Sequence, residues 1–277
     1  MQCEYRFGNR EDLPALRELW KEAFGDGDSF LDQFFSVAFA PEHSRVAVVD
    51  GAVGAALYWF SASCGEQSAW PISMGVATAA RLQGRGLCRG LMADTRALLE
   101  ADGCGGILLV PGSAPLFRLY GRLGYTPCCP QGRMRVRAAG PALPLKPVSP
   151  RRYGELRQGL LPPGGVRQEG VSLEFQASLA RLYAGKDLLL TAARQEDGAI
   201  QALELLCRDP IAAAPRILKA LRRRRASFGF PMPRAAHSPC SCPWPPGRGR
   251  LLLILGWRLI ECSLEGDFVQ PMRKVNT

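Results

Sequence analysis

No hydrophobic run in this chain approaches the roughly 20 residues that a helix needs to cross a bilayer. The longest strongly apolar stretch is Leu251–Trp257, so a membrane-spanning protein is excluded and no membrane partner is expected. The N-terminus lacks the apolar core of a signal peptide. Ten cysteines are scattered over both halves without the C-x-x-C pairs of a zinc module. Cys240-Ser241-Cys242 with nearby His237 is the one metal-like grouping, but four well-spaced ligands are missing and no metal is expected. The simplest home for such thiols is the reducing cytoplasm.

What is present describes a globular protein. The chain has 277 residues, 47% apolar and 22% charged, which argues against disorder or a fibre and suggests two domains of ordinary size. Its 35 basic and 25 acidic residues are unevenly spread: residues 1–130 hold 11 and 14, and residues 131–277 hold 24 and 11. A basic second half could attract nucleic acid, anionic lipid or an acidic partner, or form a solvated face with no ligand. Its sharpest cluster is Arg222–Arg225, which equally suits the negative end of a helix dipole. No interleaved aromatics or known reader module accompany it, so a nucleic-acid partner is not expected.

Along the chain, Glu4–Phe7 reads as a strand, followed by a helix capped by Asn9 or Asp12 with Leu13, Leu16, Leu19, Trp20 and Phe24 on one face. A second helix is predicted over about 29–39. Asp50-Gly51 between two apolar runs marks a hairpin of Arg45–Val49 with Ala52–Ser61. Then come a strand, Ile72–Thr78, a glycine-rich turn, a helix to about Glu100, a strand at Ile107–Val110 and a helix over about 114–123. Five glycines and prolines in Ala138–Pro150 suggest a linker or a broken crossing strand. Beyond it, helices are predicted at about Pro150–Leu160, Ser172–Tyr183 and Pro210–Leu221, with extended segments at Leu188–Ala193, Ala199–Leu206 and Leu251–Leu255, and irregular chain over Pro231–Pro246.

The turn Gln83-Gly84-Arg85-Gly86-Leu87-Cys88 carries the chemistry. Glycines let successive backbone N–H groups approach an anion, and a helix start adds unpaired donors and partial positive potential. A pyrophosphate suits such a cradle, although two glycines before a helix can equally be a plain tight turn. It is neither a Walker sequence, since no Gly-Lys-Ser/Thr follows, nor a complete dinucleotide fingerprint.

In order, Ile72–Thr78, Gln83–Cys88, the helix to Glu100, Ile107–Val110 and Leu116–Tyr125 resemble the core of the GCN5-related N-acetyltransferase family. That family's turn is usually Arg/Gln-x-x-Gly-x-Gly/Ala, and its later hallmark is a tyrosine in an aromatic-rich segment before Gly-Phe/Tyr, here Phe117 to Tyr125. The resemblance implies acetyl-coenzyme A as cosubstrate. Met74, Gly75 and Val76 would take the pantetheine arm, Gln83, Gly84, Arg85, Gly86, Leu87 and Cys88 the pyrophosphate, and Phe117 would add a cofactor contact. Gly75 would mark a bulge, or simply a twist in the strand. Tyr120 would protonate the departing thiolate, as a positioned phenol can; an ordinary aromatic on a helix face is the competing reading. Cys88 stands where the family has Gly or Ala. It reads as tolerated variation, with a thiol activated by the helix start as the alternative. No residue is fixed as general base: Glu22, Asp26, His43 and Glu66 are candidates, and proton loss through water is another route.

The fold class implied is α+β (mixed α/β), an acyl-CoA N-acyltransferase fold over residues 1–138 with a second, degenerate acetyltransferase-like domain over 139–277. Pro150–Leu160, Leu188–Leu206, Asp209-Pro210 and Phe228-Gly229-Phe230 distantly resemble the tandem-domain enhanced intracellular survival acetyltransferases. In that group the terminal carboxylate serves the active site; whether Thr277 reaches it here is left open. The expected activity is acetyl transfer from acetyl-CoA to a primary amine on a small molecule or peptide. The alternative is a non-catalytic acyl-CoA-binding or interaction protein with a basic C-terminal domain. The acceptor and any homo-oligomer are left open.

Overall fold

Asp50 and Gly51 both adopt the left-handed backbone, with φ of 47° and 83°, that a two-residue hairpin turn requires. The strands they join pair antiparallel as the sequence predicts. The computed structural model describes residues 2–64, 68–127, 136–161, 165–195, 198–222, 252–253 and 260–262. In chain order the elements are β1 (Cys3–Phe7), α1 (Leu13–Phe24), α2 (Asp28–Gln33), β2 (Ser44–Val49), β3 (Ala52–Phe60), β4 (Ala62–Cys64) and β5 (Ser68–Ala69). Next come β6 (Ile72–Thr78), α3 (Leu87–Ala101), β7 (Leu108–Leu109), α4 (Ala114–Arg122) and β8 (Thr126–Pro127). The later elements are β9 (Lys146–Pro147), α5 (Pro150–Leu160), β10 (Val166–Gln168), α6 (Val171–Leu179), β11 (Arg181–Gly185), β12 (Leu188–Arg194), β13 (Ile200–Cys207), α7 (Pro210–Arg222), β14 (Leu252–Leu253) and β15 (Ile260–Cys262).

The chain forms two compact units. One comprises Met1–Pro130, Pro162–Phe175 and Cys240–Leu255, and the other the remainder. The chain thus passes between units more than once, where the sequence suggested a single boundary at 138. A physical reason is visible in β10, which pairs antiparallel with β4 and buries Val166 beside Trp70, Ile72 and Leu108.

In the first unit the main sheet has the order β1-β2-β3-β6-β7. Every neighbour is antiparallel except the last pair, β6 with β7. Asn9 and Asp12 form a reciprocal cap ahead of α1, and Arg6 pairs with Asp12 at 2.7 Å. Gly25, with φ of 72°, ends α1 in the left-handed C-terminal turn. The buried stripe of α1 is Leu16, Leu19 and Trp20, and Trp20 stacks against Tyr58 of β3. Residues alternate faces along a strand, so neighbouring Leu57 and its partner Arg45 face the other way. There Arg45 reaches Asp94 of α3 at 2.7 Å through Nε. The sheet is therefore filled between α1 and α3.

The helix predicted over 29–39 is divided: α2 ends at Gln33, and Phe34–Ala38 follows as a π-helical turn. The wider turn lets consecutive Phe34 and Phe35 both reach Trp20, with ring centroids 4.6 and 6.3 Å away. Phe175 joins this cluster against Phe30, Phe34 and Phe60.

The second unit is built on the sheet β15-β13-β12-β11-β9. The helix predicted over Ser172–Tyr183 stops at Leu179, and Arg181–Gly185 is strand. Tertiary pairing overrides helical spacing here: Leu182 and Tyr183 lie opposite Thr191 and Leu190, and Asp187 closes the hairpin at φ 53°. One face packs Tyr183, Leu188, Leu190, Ile200, Ala202 and Leu205 on α7. The other buries a polar network. Arg157 of α5 holds both carboxylate oxygens of Glu204, at 2.7 and 3.1 Å. Tyr153 donates to Glu204 at 2.8 Å and accepts from Thr191 at 3.1 Å.

The side chains of Arg157 and Glu204 are only 3% and 1% exposed. Removing one partner from such a pair leaves a charge stranded. Arg157→Met is expected to destabilise the protein by about 3–5 kcal/mol, read as a shift in urea unfolding. Combining Arg157→Met with Glu204→Leu should recover most of that loss, because no unpaired charge then remains.

Candidate active site

The register of β6 on β3 contains the feature from which the site is built. Ala56 faces Ala77 and Tyr58 faces Met74, so Gly75 and Val76 together oppose the single residue Leu57. That is a β-bulge. Gly75 lies at φ 60°, and a Cβ there would fall 2.6 Å from the Trp20 ring and 2.8 Å from Tyr58. Glycine is thus required twice over, by its backbone and by close approach.

On its other edge β6 pairs with β7 only at Ile72–Leu108 and Ser73–Leu109. The two parallel strands part company where the bulge begins, and Met74 to Thr78 have no β7 partner. Met74, Gly75 and Val76, all half-buried, therefore line a released strand edge. Backbone groups on that edge have no partner in β7 and suit an extended ligand.

Past Thr78 the chain turns through a 3-10 segment, Ala80–Leu82, into Gln83–Cys88. The Gln83 N–H donates to the Ala80 carbonyl, and its side-chain amide donates to the Thr78 carbonyl at 3.2 Å. Gln83 thereby ties the turn to the strand end, and its own amide is committed within the chain. The open part of the turn begins at Gly84. Gly84 and Gly86 are left-handed, at φ 73° and 81°, and a Cβ on either would meet nothing within 4 Å. Gly86 is the N-cap of α3 and no side chain caps that helix. The N–H groups of Leu87, Cys88 and Arg89 consequently have no acceptor inside α3, and they point, with the helix dipole, at an exposed turn. Such a donor set fits a pyrophosphate.

Tyr120 lies in α4 and is 6% exposed. Burial holds its phenol above the ordinary tyrosine range, with the Cys88 thiol adding to the effect. The hydroxyl is therefore fully protonated at neutral pH and available as a donor. Cys88, half-buried on the first turn of α3, has its own thiol pKa pushed up by burial. The raised pKa keeps the thiol neutral at neutral pH and gives the activated-cysteine alternative no support. Phe117 is exposed with Leu116 one turn ahead of Tyr120, an apolar surface at the start of α4.

Among the candidate bases, Asp26 accepts the Trp20 indole N–H at 2.9 Å, His43 stacks on Trp59 with centroids 5.8 Å apart, and Glu22 is exposed. Glu66, Arg223 to Arg225, His237, Cys240, Cys242 and Thr277 lie outside the described residues. Among those described, no group of three or more His, Cys, Asp or Glu is placed to hold a metal, and no helix is long and apolar enough to cross a membrane. Reading the sequence missed the aromatic wall behind Gly75, because Trp20, Phe34 and Tyr58 lie far apart in the chain. It also left Tyr125 without a role.

Residues 4–128 match the model of an acetyltransferase (GNAT) domain. The sheet that parts at a bulge and runs into an uncapped helix has the acyl-CoA N-acyltransferase fold, and this stretch of the chain is similar to a GNAT domain. A GCN5-related N-acetyltransferase from Anabaena variabilis is similar in structure at 16% identity and TM-score 0.59, covering 80% of this chain and 63% of its own. A putative acetyltransferase from Pyrococcus horikoshii is similar at 14% identity and TM-score 0.57, over 79% and 76%. Eis1 from Mycobacterium abscessus is similar at 13% identity and TM-score 0.52, over 78% and 61%, in keeping with the tandem-domain resemblance. The likeness is one of fold, and the chain spans less than two thirds of the Anabaena and Mycobacterium proteins. None of the curated proteins matches the sequence at a significant level.

Gly75→Ala is expected to destabilise the protein by at least about 2 kcal/mol, combining left-handed strain with overpacking against Trp20. Gly84→Ala, which meets open space, should cost only the strain, about 1 kcal/mol. Denaturant unfolding of the two variants side by side measures the difference.

Proposed function

We propose that the first unit binds acetyl-CoA and transfers its acetyl group to a primary amine of a small molecule or peptide. The observation that carries this reading is the release of β6 from β7 at the Gly75 bulge, on a strand that leads directly to the uncapped start of α3. The free edge of Met74 to Val76 suits the amides of a pantetheine arm, and the N–H groups from Gly84 to Arg89 suit its pyrophosphate. Phe117 and Leu116 present an exposed apolar surface at the start of α4 that suits a cofactor contact. Bound there, the cosubstrate supplies an activated thioester.

The residues of the chain then have separate tasks. Backbone donors at the bulge orient the acyl group and favour the charge that develops on its oxygen. As the amine adds to the carbonyl carbon and the carbon–sulfur bond breaks, Tyr120 gives its proton to sulfur, so that a neutral thiol departs. A buried, fully protonated phenol is suited to that role. No base is assigned for the amine: Glu22, Asp26, His43 and Glu66 stay candidates beside proton loss through water, with Asp26 also accepting the Trp20 indole N–H. The second unit, degenerate in its glycines, is assigned a non-catalytic part, and a cytoplasmic location fits cysteines that form no disulfide among the described residues.

Calorimetry with CoA and acetyl-CoA, then acetyl-transfer assays over small amines, aminoglycosides and peptides, test the proposal. Tyr120→Phe is expected to retain acetyl-CoA affinity and lose about a hundredfold in kcat. Binding without turnover on any amine would favour a non-catalytic acyl-CoA-binding protein instead. Absence of binding would overturn both readings.

A further inference from the structure

A second phenol stands beside Tyr120, and the scheme above gives it no task. Tyr125 follows α4 through Gly124, which is left-handed at φ 90°. Its backbone N–H donates to the Tyr120 carbonyl at 3.0 Å. That bond folds the chain back on the helix end, so that the two rings meet edge to face with centroids 5.5 Å apart and an interplanar angle of 63°. Tyr125 is 3% exposed, and its hydroxyl is buried with no hydrogen-bond partner among the described residues.

Buried phenols ordinarily find an acceptor, and one left without is a feature that needs an explanation. The groups that influence this hydroxyl are Tyr120 on α4, and Cys88 and Arg96 on α3. Cys88 is a neutral thiol, a weak acceptor. Arg96 has no acceptor atom and is bound to Glu100 at 2.7 Å. Of these groups, Tyr120 is the one that becomes a strong acceptor in the reaction, at the moment it releases a proton. A phenolate formed in so desolvated a place is costly unless a donor reaches it.

We propose that Tyr125 is a positioning residue for the acid step, its hydroxyl donating a hydrogen bond to the Tyr120 oxygen as that oxygen gives its proton to the coenzyme A sulfur. This rests on the assignment of Tyr120 as the acid. In the step, the electron pair of the carbon–sulfur bond stays on sulfur, the Tyr120 O–H bond breaks and an S–H bond forms. The Tyr125 O–H bond stays intact throughout. The orphan hydroxyl is then a donor held in reserve: it is unpaired while Tyr120 is neutral and paired when Tyr120 is ionised.

The test is single-turnover thiol release from acetyl-CoA by the full chain, with water or an added amine as acceptor, in the wild type, Tyr120→Phe, Tyr125→Phe and the double variant. Tyr125→Phe is expected to slow release roughly tenfold with unchanged acetyl-CoA affinity and unfolding midpoint. The double variant should be no slower than Tyr120→Phe alone, because the second phenol acts through the first. Release at the wild-type rate in Tyr125→Phe, or equal slowing with and without Tyr120, would mark Tyr125 as a core aromatic only. Wild-type release in Tyr120→Phe would instead overturn the acid assignment itself. Absence of release from the wild type would overturn the transferase reading and this proposal with it.

Discussion

One glycine pressed against two aromatic rings decides where the central sheet stops pairing. Gly75 can occupy its place only because it has no Cβ, and Trp20 and Tyr58 fill the space a side chain would need. The strand answers by placing two residues opposite Leu57, and the twist of the bulge turns β6 away from β7. The aromatic wall is itself assembled from distant pieces: α1, the π-helical turn, β3 and the returning segment that carries Phe175. A bulge held by so many contacts is rigid, so the released edge exists before any ligand arrives.

The same core fixes the other end of the site. α3 is anchored to the sheet by Leu91, Met92, Thr95 and Leu99, all buried, and by the ion pair of Asp94 with Arg45. Gln83 stitches the strand end to the turn. Strand edge, turn and helix start are therefore tied to one another inside the first unit, and positioning of this kind reduces the ordering cost of binding. Tyr120 and Tyr125 are locked by the backbone bonds that close α4.

Local chemistry made much of this legible in the sequence. Asp50-Gly51, the apolar stripe of α1, the strand Ile72–Thr78 and the helix after Gly86 each follow from nearest neighbours, and the structure places them as predicted. Their serial order was enough for the family resemblance. What escaped depends on contacts between segments far apart in the chain. The split of the second helix at Gln33 answers to Trp20 and Tyr58. The early stop of α6 answers to the pairing of Tyr183 with Leu190. The return of Val166–Gln168 to β4 has no local signal, so one boundary near 138 was the natural reading. Whether Gly75 marked a bulge or a twist was open because its neighbours across the sheet are invisible from its own segment.

The buried network of the second unit bears on how its sheet can form. Thr191 and Glu204 are directly opposite, bridged by the Tyr153 hydroxyl, and Leu203 is the extra residue at the irregularity beside them. Sliding β13 by one residue would turn Glu204 into the face occupied by Ile217 and Leu218, with its charge unpaired. Arg157 and Tyr153 accept Glu204 in one alignment alone. In a sheet rich in leucine, where adjacent registers bury similar apolar area, these polar groups discriminate among alignments that hydrophobicity cannot tell apart.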